Sequence, residues 1–347
     1  MKSIQFTEFG GELSIVDLPI PQPDEHGVII KVEATGICRS DWHGWMGHDS
    51  DITLPHVPGH ELAGVISAVG AEVRKYSVGD RVTVPFVCGC GKCELCLQGD
   101  AQVCATQTQP GFTAFGSFAE FVSIENADFN LVRIPPNISF STAAALGCRF
   151  ATAYRGVVKR AKLLKGECLV IFGCGGVGLS AVMIAQALGA TVYAVDKNES
   201  ALELAALHGA TPINSTDTDP VQLIQSLGGA HVAMDAFGSE ETAIQSILSL
   251  RRRGRHLQLG LLLTPSGLTA LPMARVIGWE LDLLGSHGMA ASDYPEMLEM
   301  VATGSLKPAE LITREVGLKE GSQALALMGS ATPSISRGIT IIQPAKM

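Results

Sequence analysis

The sequence is poor in charged residues and has no long run of basic ones. Only 17% of the 347 residues are charged, the formal net charge is -9, and 46% of the residues are apolar. The densest basic segment is Arg251, Arg252, Arg253 and Arg255. A surface that follows nucleic-acid phosphates needs more Lys and Arg than this. The composition therefore predicts a well-buried globular protein that binds no nucleic acid.

A secretory signal and a membrane span are also missing from the pattern. Glu8, Glu12 and Asp17 interrupt the apolar residues near the N-terminus. The segment from Cys168 to Val195 has no charged residue and is long enough to resemble a transmembrane helix. Glycines divide it into a β-branched run and a helical run, which is typical of a strand, a turn and a buried helix. We expect a soluble, cytoplasmic protein without a membrane partner.

Cysteine is too sparse and too clustered for a disulfide-stapled secreted module, since five of the nine lie between Cys88 and Cys104. Four of these, Cys90, Cys93, Cys96 and Cys104, are separated by two, two and seven residues. Such thiolates can close a tetrahedron around a structural zinc ion. An iron-sulfur cluster is an alternative, although ferredoxin spacings differ. Disulfides are another, which a reducing cytoplasm disfavours. Cys88 is left as a free thiol.

The pattern of elements divides the chain into two domains, as expected above about 250 to 300 residues. Short β-like runs separated by turns fill the first part of the chain. After about Ser141, six strand candidates alternate with helical segments, which predicts a doubly wound parallel sheet. From about His287 the pattern is mixed again and ends in a strand-like run. We therefore expect residues 1-149 and 287-347 to form a β-rich domain and residues 150-286 a coenzyme domain of the Rossmann type.

A glycine fingerprint opens the coenzyme domain. The segment 173–178 fits G-x-G-x-x-G between a buried strand and a helix, so the helix N-terminus would face a pyrophosphate. Asp196 ends the next strand, where its carboxylate can bond the adenosine ribose and repel a 2'-phosphate. NAD is therefore predicted over NADP, although Lys197 lies alongside. A plain glycine-rich turn is the alternative. The predicted cofactor-binding residues here are Gly173, Gly175, Gly176, Val177, Gly178, Asp196 and Lys197.

A zinc ion that does chemistry needs three protein ligands and one open position. The candidates are Cys38 in GICRSDWH, His60 in PGHELAG and Cys148 in AALGCRFATAY. Each alone has an ordinary explanation, because Cys is often a small buried hydrophobe and a lone His is often structural. Together with the nucleotide motif they indicate a catalytic metal.

In the order and separation of these motifs the chain resembles the zinc-dependent alcohol dehydrogenases of the medium-chain dehydrogenase/reductase superfamily. The resemblance covers essentially the whole length. It implies a GroES-like catalytic domain beside the Rossmann domain, and one catalytic and one structural zinc in each subunit. The catalytic zinc would be held by Cys38, His60 and Cys148. The activity implied is a reversible, NAD-linked oxidation of an alcohol, with hydride leaving an alkoxide that zinc stabilises.

The resemblance also implies roles for neighbouring residues. Asp41 would orient His60, and Glu61 would be a carboxylate able to approach the metal during ligand exchange. Ser40 would bond the substrate oxygen, and His43 would end a proton relay that runs through the nicotinamide ribose. The remaining contacts implied are Arg39 and Arg337 with the pyrophosphate, where a plain surface role is the alternative, and Thr152 beside the nicotinamide.

Substrate and assembly are less constrained. Related polyol dehydrogenases tend to have a carboxylate where Cys148 stands, which favours primary or secondary alcohols and aldehydes as substrates. Polyol, formaldehyde or aromatic-alcohol oxidation, or a non-catalytic redox sensor that binds zinc and nucleotide, are the alternatives. Trp42, Trp45 and Phe86 either line an apolar substrate site or belong to the core. The family implies a homodimer or homotetramer, with 260–273 as a plausible contact region.

Overall fold

The computed structural model describes residues 1–263, 268–329 and 338–346. The chain forms two compact units, Met1–Ala151 with Gly288–Met347, and Thr152–His287. The boundaries expected from the sequence lie one or two residues from this division. No helix within the described ranges is long and apolar enough to cross a membrane.

The elements follow the expected change from β-rich to alternating structure. The strands are β1 (Lys2–Gln5), β2 (Ser14–Asp17), β3 (Val28–Gly36), β4 (Glu61–Val69), β5 (Arg81–Thr83), β6 (Phe121–Ile124), β7 (Val132–Arg133), β8 (Cys168–Phe172), β9 (Thr191–Asp196), β10 (Thr211–Asn214), β11 (Ala230–Asp235), β12 (Leu250–Gln258), β13 (Asp282–Gly285), β14 (Ile312–Val316) and β15 (Ile339–Ile342). The α-helices are α1 (Arg39–Trp45), α2 (Glu94–Leu97), α3 (Ala127–Asn130), α4 (Phe140–Ala145), α5 (Ala151–Tyr154), α6 (Gly176–Ala187), α7 (Glu199–Leu207), α8 (Pro220–Ser226), α9 (Glu240–Leu248), α10 (Met273–Trp279), α11 (Tyr294–Ala302) and α12 (Leu318–Leu327). Short 3-10 turns cover Ala101–Val103, Ala291–Asp293 and Pro308–Leu311, and π-helical turns cover Leu146–Phe150 and Arg155–Arg160.

The first unit is built on a mixed sheet in the order β14-β15-β3-β4-β5-β7, with β6 also paired to β3. Its central pair, β3 and β4, is antiparallel, and Gly36 at the end of β3 lies opposite Glu61 at the start of β4. The residues just outside this pair of strand ends are therefore brought together. Strand β15 pairs with β3 at the same end, so the C-terminal segment belongs to this sheet.

The second unit is a parallel six-stranded sheet in the order β10-β9-β8-β11-β12-β13. This is the doubly wound order 3-2-1-4-5-6. Strands β9 and β10 are added on one side of β8, and β11, β12 and β13 on the other. The central strands β8 and β11 are mostly buried. Val170, Phe172 and Ala233 lie in one core with Ile224 and Ile247 from helices α8 and α9. The predicted fold class, a β-rich domain with a doubly wound parallel sheet, is confirmed.

One element boundary differs from the sequence expectation. The helix expected near Glu240 to Leu250 ends at Leu248, and Leu250 already begins β12, where it lies opposite Ala230 of β11. Because Leu250 pairs with β11, strand β12 begins at Leu250 and includes the basic run 251–253. The side chains of this run are exposed. Burial of Leu250 in the sheet core outweighs helix propensity at this end.

Candidate active site and zinc centres

The four-cysteine lobe brings its sulfurs together. The Sγ atoms of Cys90, Cys93, Cys96 and Cys104 lie within 4.8 Å of one another. The Cys93 and Cys104 sulfurs are 3.7 Å apart, and those of Cys90 and Cys96 are 4.0 Å apart. Four sulfurs at this separation match the edges of a tetrahedron around zinc, since each Zn–S bond is about 2.3 Å.

The lobe is held in place by side chains of the first unit. Asn130 accepts a hydrogen bond from the Gly89 N–H at 2.9 Å and donates one to the Gly89 carbonyl at 3.0 Å. Donation from the backbone N–H of Lys92 lowers the pKa of Cys90 to about 5, whereas burial raises that of Cys96 to about 12. A bound cation would hold all four sulfurs as thiolates.

Cys88 lies beside this lobe but outside its sulfur cluster. Its thiol is buried 3.6 Å from the Pro85 carbonyl, and burial raises its pKa to about 12. Such a thiol is unreactive.

A second cluster forms where β3 ends and β4 begins. The sulfurs of Cys38 and Cys148, a ring nitrogen of His60 and a carboxylate oxygen of Glu61 lie within 4.8 Å of one another. Cys38 follows β3, His60 precedes β4, and Cys148 comes from the π-helical turn Leu146–Phe150. Residues more than a hundred positions apart in sequence therefore converge at one end of the sheet.

Asp41 fixes the orientation of His60. Its Oδ1 lies 2.9 Å from His60 Nδ1 and accepts the Gly59 N–H at 3.0 Å, and its Oδ2 accepts the Cys38 N–H at 2.8 Å. The buried His60 Nε2 has no hydrogen-bond partner. A buried polar atom without a partner is costly. A carboxylate behind one nitrogen and a free lone pair on the other is how metal-binding histidines are arranged.

The buried thiol of Cys38 and the half-buried thiol of Cys148 complete this donor set. The Cys148 thiol donates toward Cys38, which lowers the pKa of Cys38 well below its ordinary value and raises that of Cys148. These sulfurs lie beside the His60 imidazole, whose Nε2 atom has no hydrogen-bond partner. Two thiolates and an imidazole fit zinc with a fourth position open.

Glu61 has a partner that sequence reasoning missed. Its Oε1 accepts hydrogen bonds from the backbone N–H groups of Cys148 and Arg149, at 3.2 and 3.1 Å, and from Arg149 Nε at 3.0 Å. Arg149 Nη2 donates to the other oxygen. Both side chains are buried. A single arginine inside the apolar run AAALGCRFATAY was the available signal, because a buried charge requires a partner.

Helix α1 carries Arg39, Ser40 and His43. Ser40 Oγ lies 3.7 Å from Cys38 Sγ, and His43, three residues later, shares the same helix face. Burial, reinforced by the positive charge of Arg39, lowers the pKa of His43. Arg39 lies over the Trp42 ring at 4.1 Å and donates to the Met328 carbonyl.

The aromatic residues near the ligands divide into two groups. The rings of Phe86 and Phe112 lie 5.9 and 5.2 Å from that of His60, so they form an apolar wall against this imidazole. Trp45 instead packs with Phe6 and Ile52, and its indole N–H donates to the Gly11 carbonyl. Trp45 is therefore a core residue.

In the second unit, the glycine loop joins β8 to α6. A Cβ atom on Gly178 would lie 1.9 Å from the Gly173 carbonyl oxygen, so this glycine permits helix and strand to touch. A Cβ on Gly175 would meet nothing within 4 Å. This open space at the helix N-terminus is the cradle that a pyrophosphate would fill. Gly176 and Val177 begin α6 there.

Asp196 lies at the end of β9, next to this loop. Its Oδ2 accepts the Cys174 N–H at 2.7 Å and its Oδ1 accepts the Asn198 N–H at 2.8 Å. Lys197 is exposed, 3.7 Å from the Glu241 carboxylate. Thr152 is buried at the start of the second unit. Arg337 lies outside the described residues.

Comparison with known proteins places both units in one family. Residues 24–136 match the alcohol dehydrogenase GroES-like domain, and residues 176–303 match the zinc-binding dehydrogenase domain. The predicted GroES-like character of the first unit is confirmed.

Similar proteins cover nearly the whole chain. An alcohol dehydrogenase of Moraxella sp. (strain TAE123) is 35% identical over 88% of this chain and 90% of its own. An NAD-dependent alcohol dehydrogenase of Sulfurisphaera tokodaii is 34% identical over 94% and 95%. The structure of an alcohol dehydrogenase from Thermus sp. ATN1 superposes with a TM-score of 0.91, at 27% identity, over 99% of this chain and 100% of that one. The chain belongs to the zinc-dependent alcohol dehydrogenases of the medium-chain dehydrogenase/reductase superfamily.

Proposed function

We propose that this chain catalyses the reversible, NAD-linked oxidation of primary or secondary alcohols to aldehydes or ketones. The observation that carries the proposal is the convergence of Cys38, His60 and Cys148, with the His60 Nε2 atom buried and without a partner. A binding module or redox sensor has no need of three ligands and an open position. The catalytic zinc would be held by these three residues.

Residues of this chain would accept the alcohol proton and transfer it toward solvent. Zinc, when bound, supplies the Lewis acidity that favours loss of the alcohol proton near neutral pH. Ser40 is beside Cys38 and would accept that proton, and His43 on the same helix face would carry it outward. The lowered pKa of His43 keeps its imidazole neutral and able to accept a proton at pH 7. Phe86 and Phe112 would limit access of water to His60.

Glu61 would serve chiefly as an anchored carboxylate. In the present arrangement both of its oxygens are engaged by Arg149 and the backbone of the π-helical turn. An approach of Glu61 to the metal during ligand exchange would require it to give up part of this contact. Asp41 would act through His60, by keeping the Nδ1 atom occupied.

NAD rather than NADP is the cofactor we propose, bound at the glycine loop. Asp196 would accept hydrogen bonds from the ribose hydroxyls and repel a 2'-phosphate. Lys197 would offer that phosphate little, because Glu241 is near its ammonium group. Arg39 and Arg337 would contact the pyrophosphate and Thr152 the nicotinamide. For Arg39 this requires the side chain to leave the Met328 carbonyl.

The four-cysteine lobe would hold a second, structural zinc. Its four sulfurs leave no open position for substrate. The expected zinc content is therefore two atoms per chain, which elemental analysis of the purified protein measures. Iron in place of zinc would contradict the assignment.

A Cys148→Ala variant tests the catalytic proposal. We expect it to lose nearly all formation of NADH from alcohols, to retain one zinc atom per chain, and to bind NADH with little change in a fluorescence titration. Cys168→Ala, which removes a partly buried thiol on β8, is the matched control and should retain activity. Turnover by Cys148→Ala at the control rate would overturn the ligand assignment.

A substrate panel tests the reaction class. The wild-type protein should oxidise simple primary and secondary alcohols with higher kcat/KM than polyols, a formaldehyde adduct or aromatic alcohols. A preference for polyols would move the assignment to that branch of the superfamily. Negligible turnover of every alcohol by a protein with full zinc and bound NAD would instead favour the redox-sensor alternative.

We further propose a homodimer or homotetramer that associates through the second unit. Strand β13 is an edge of the parallel sheet, and an edge strand can pair with a second copy. Large apolar side chains are exposed nearby, which is unusual for a surface that faces water. They are Leu261, Leu263, Leu268, Met273, Ile277 and Leu283. Residues 264–267, within the contact region expected from the sequence, lie outside the described residues.

A further inference from the structure

A second histidine lies against His43. The Nδ1 atoms of His43 and His48 are 2.9 Å apart, and their ring centroids are 5.2 Å apart. At this distance one Nδ1 carries a hydrogen and the other accepts it. The Trp42 ring meets both imidazoles edge-on, at 5.1 and 5.7 Å between centroids. The two histidines are therefore held as a pair and joined by a hydrogen bond.

The end of helix α1 produces this contact. Gly47 adopts a φ of +78°, and its N–H donates to the Gly44 carbonyl. The next N–H, that of His48, turns back to the His43 carbonyl at 2.9 Å. These two bonds form a Schellman motif, which brings the residue after the left-handed glycine against the residue five positions earlier. That contact is usually apolar, and here it joins two imidazoles.

Three polar side chains of this segment, Ser40, His43 and His48, differ in their exposure to solvent. Ser40 and His43 are half-buried, and His48 is exposed. Ser40 lies beside the proposed zinc ligand Cys38. His43 follows about one turn later on the same helix face and contacts the exposed His48. The charged or titratable groups that act on His43 are Arg39, one turn earlier on α1, His48, and the Cys38 thiol.

On the basis of the alcohol dehydrogenase activity proposed above, we propose that His48 is the terminal proton carrier of the relay, receiving through its Nδ1 the proton that leaves His43. His43 accepts the substrate proton at Nε2 and releases its Nδ1 proton to His48 Nδ1. His48 then loses its Nε2 proton to water. One proton enters and one leaves, and no electrons are transferred. Each ring then regains its first tautomer by exchanging one of its own protons with water. His48 is thus a positioning and transfer residue that acts through His43.

Two substitutions separate proton transfer from structure. His48→Phe keeps a planar ring against Trp42 and removes both nitrogens, whereas His48→Gln keeps a hydrogen-bonding group that cannot carry a proton. His26→Phe, which replaces an exposed histidine distant in sequence, is the control. The measurements are kcat and KM for alcohol oxidation against pH, first in a dilute buffer that is a poor proton acceptor and then with added imidazole.

We expect both His48 variants to lose about tenfold in kcat at neutral pH, with KM nearly unchanged, because water replaces the outer imidazole only in part. Added imidazole should restore most of the loss in these variants and leave the wild-type protein and the control unaffected. The kcat profile of the variants should also shift to higher pH, where hydroxide accepts the proton from His43.

Three results would overturn the proposal. They are a wild-type pH profile in His48→Phe, full recovery in His48→Gln without imidazole, or a loss in both variants that imidazole does not reduce. The second result would assign His48 a hydrogen-bonding role only. Failure of the proposed function itself is distinguishable, because the wild-type protein would then oxidise no alcohol in any buffer.

Discussion

Arg149 neutralises a buried carboxylate beside the proposed zinc ligands. Arg149 and Glu61 are joined through both carboxylate oxygens, and both side chains are buried. Burial raises the pKa of Glu61, and the guanidinium charge opposes that rise. The pair keeps an anion next to two thiols without leaving any of its oxygens unsatisfied. It thereby fixes the π-helical turn that presents Cys148.

Replacing Arg149 should therefore be costly. We expect Arg149→Met to lower the free energy of unfolding by about 3–5 kcal/mol, because it leaves a buried charge without a partner. Arg74→Met, which breaks the exposed pair with Glu72, should cost no more than about 1 kcal/mol. Urea denaturation at neutral pH measures both. Equal losses in the two variants would show that the buried pair has no special role.

The sequence predicts the candidate site residues better than it predicts the side chains that contact them. Cys38, His60 and Cys148 could be nominated because Cys and His are zinc ligands and because their motifs resemble those of a known family. Asp41 was expected behind His60, and the two side chains are in contact. The lone Arg149 in an apolar run signals a buried charge, but the sequence does not say that Glu61 is its partner. The contact of His48 with His43 has no such signal, because it depends on the geometry of a helix end.

At the scale of elements, two glycines of the loop between β8 and α6, Gly175 and Gly178, have different roles. The loop follows β8, the strand from which the order of strands runs to one edge through β9 and to the other edge through β11. Gly178 is required for packing, since a Cβ there would overlap the Gly173 carbonyl. Gly175 faces open space and is required only if a ligand approaches it.

Alanine at each position should separate these tasks. We expect Gly178→Ala to destabilise the protein by about 1–3 kcal/mol through overpacking. Gly175→Ala should leave the thermal unfolding midpoint unchanged and weaken NAD binding at least tenfold, because its methyl group occupies the space proposed for phosphate. Calorimetry and a NADH fluorescence titration provide the two readouts. Unchanged NAD affinity in Gly175→Ala would contradict the proposed position of the pyrophosphate.

Element types were predictable where periodicity is strong, and boundaries were less so. The uncharged segment from Cys168 to Val195 becomes β8, α6 and β9, as its glycines indicate. The sequence pattern extends α9 to about Leu250, two residues past its end, because the pairing of Leu250 with Ala230 is a tertiary contact that leaves no local signal.

At the scale of the whole molecule, an edge strand and an apolar surface indicate assembly. All residues of α10 are half-buried or exposed, and Ile277 on this helix is 75% exposed. Large apolar side chains left in water favour association with a second copy. The oligomer and the cytoplasmic location both stay predictions.

A charge on this surface should disrupt the proposed assembly. We expect Ile277→Asp to shift the molar mass in light scattering toward that of the 36.5 kDa chain, because an aspartate would be buried without a partner in the interface. Leu207→Asp, at a position 79% exposed at the end of α7, is the control and should retain the wild-type mass. Retention of that mass in both variants would place the interface elsewhere.

The amino-acid sequence by itself determined the fold class, the two kinds of domain, the glycine loop and the chemical types of the ligands. Those features depend on local periodicity, on turn residues and on side-chain chemistry, which neighbouring residues specify. The tertiary structure decided which distant residues meet: Cys38 and His60 through the register of β3 with β4, Glu61 with Arg149, and His48 with His43. These contacts depend on strand pairing and on backbone turns. The stability of both comes from burial across the whole unit, which no short segment specifies.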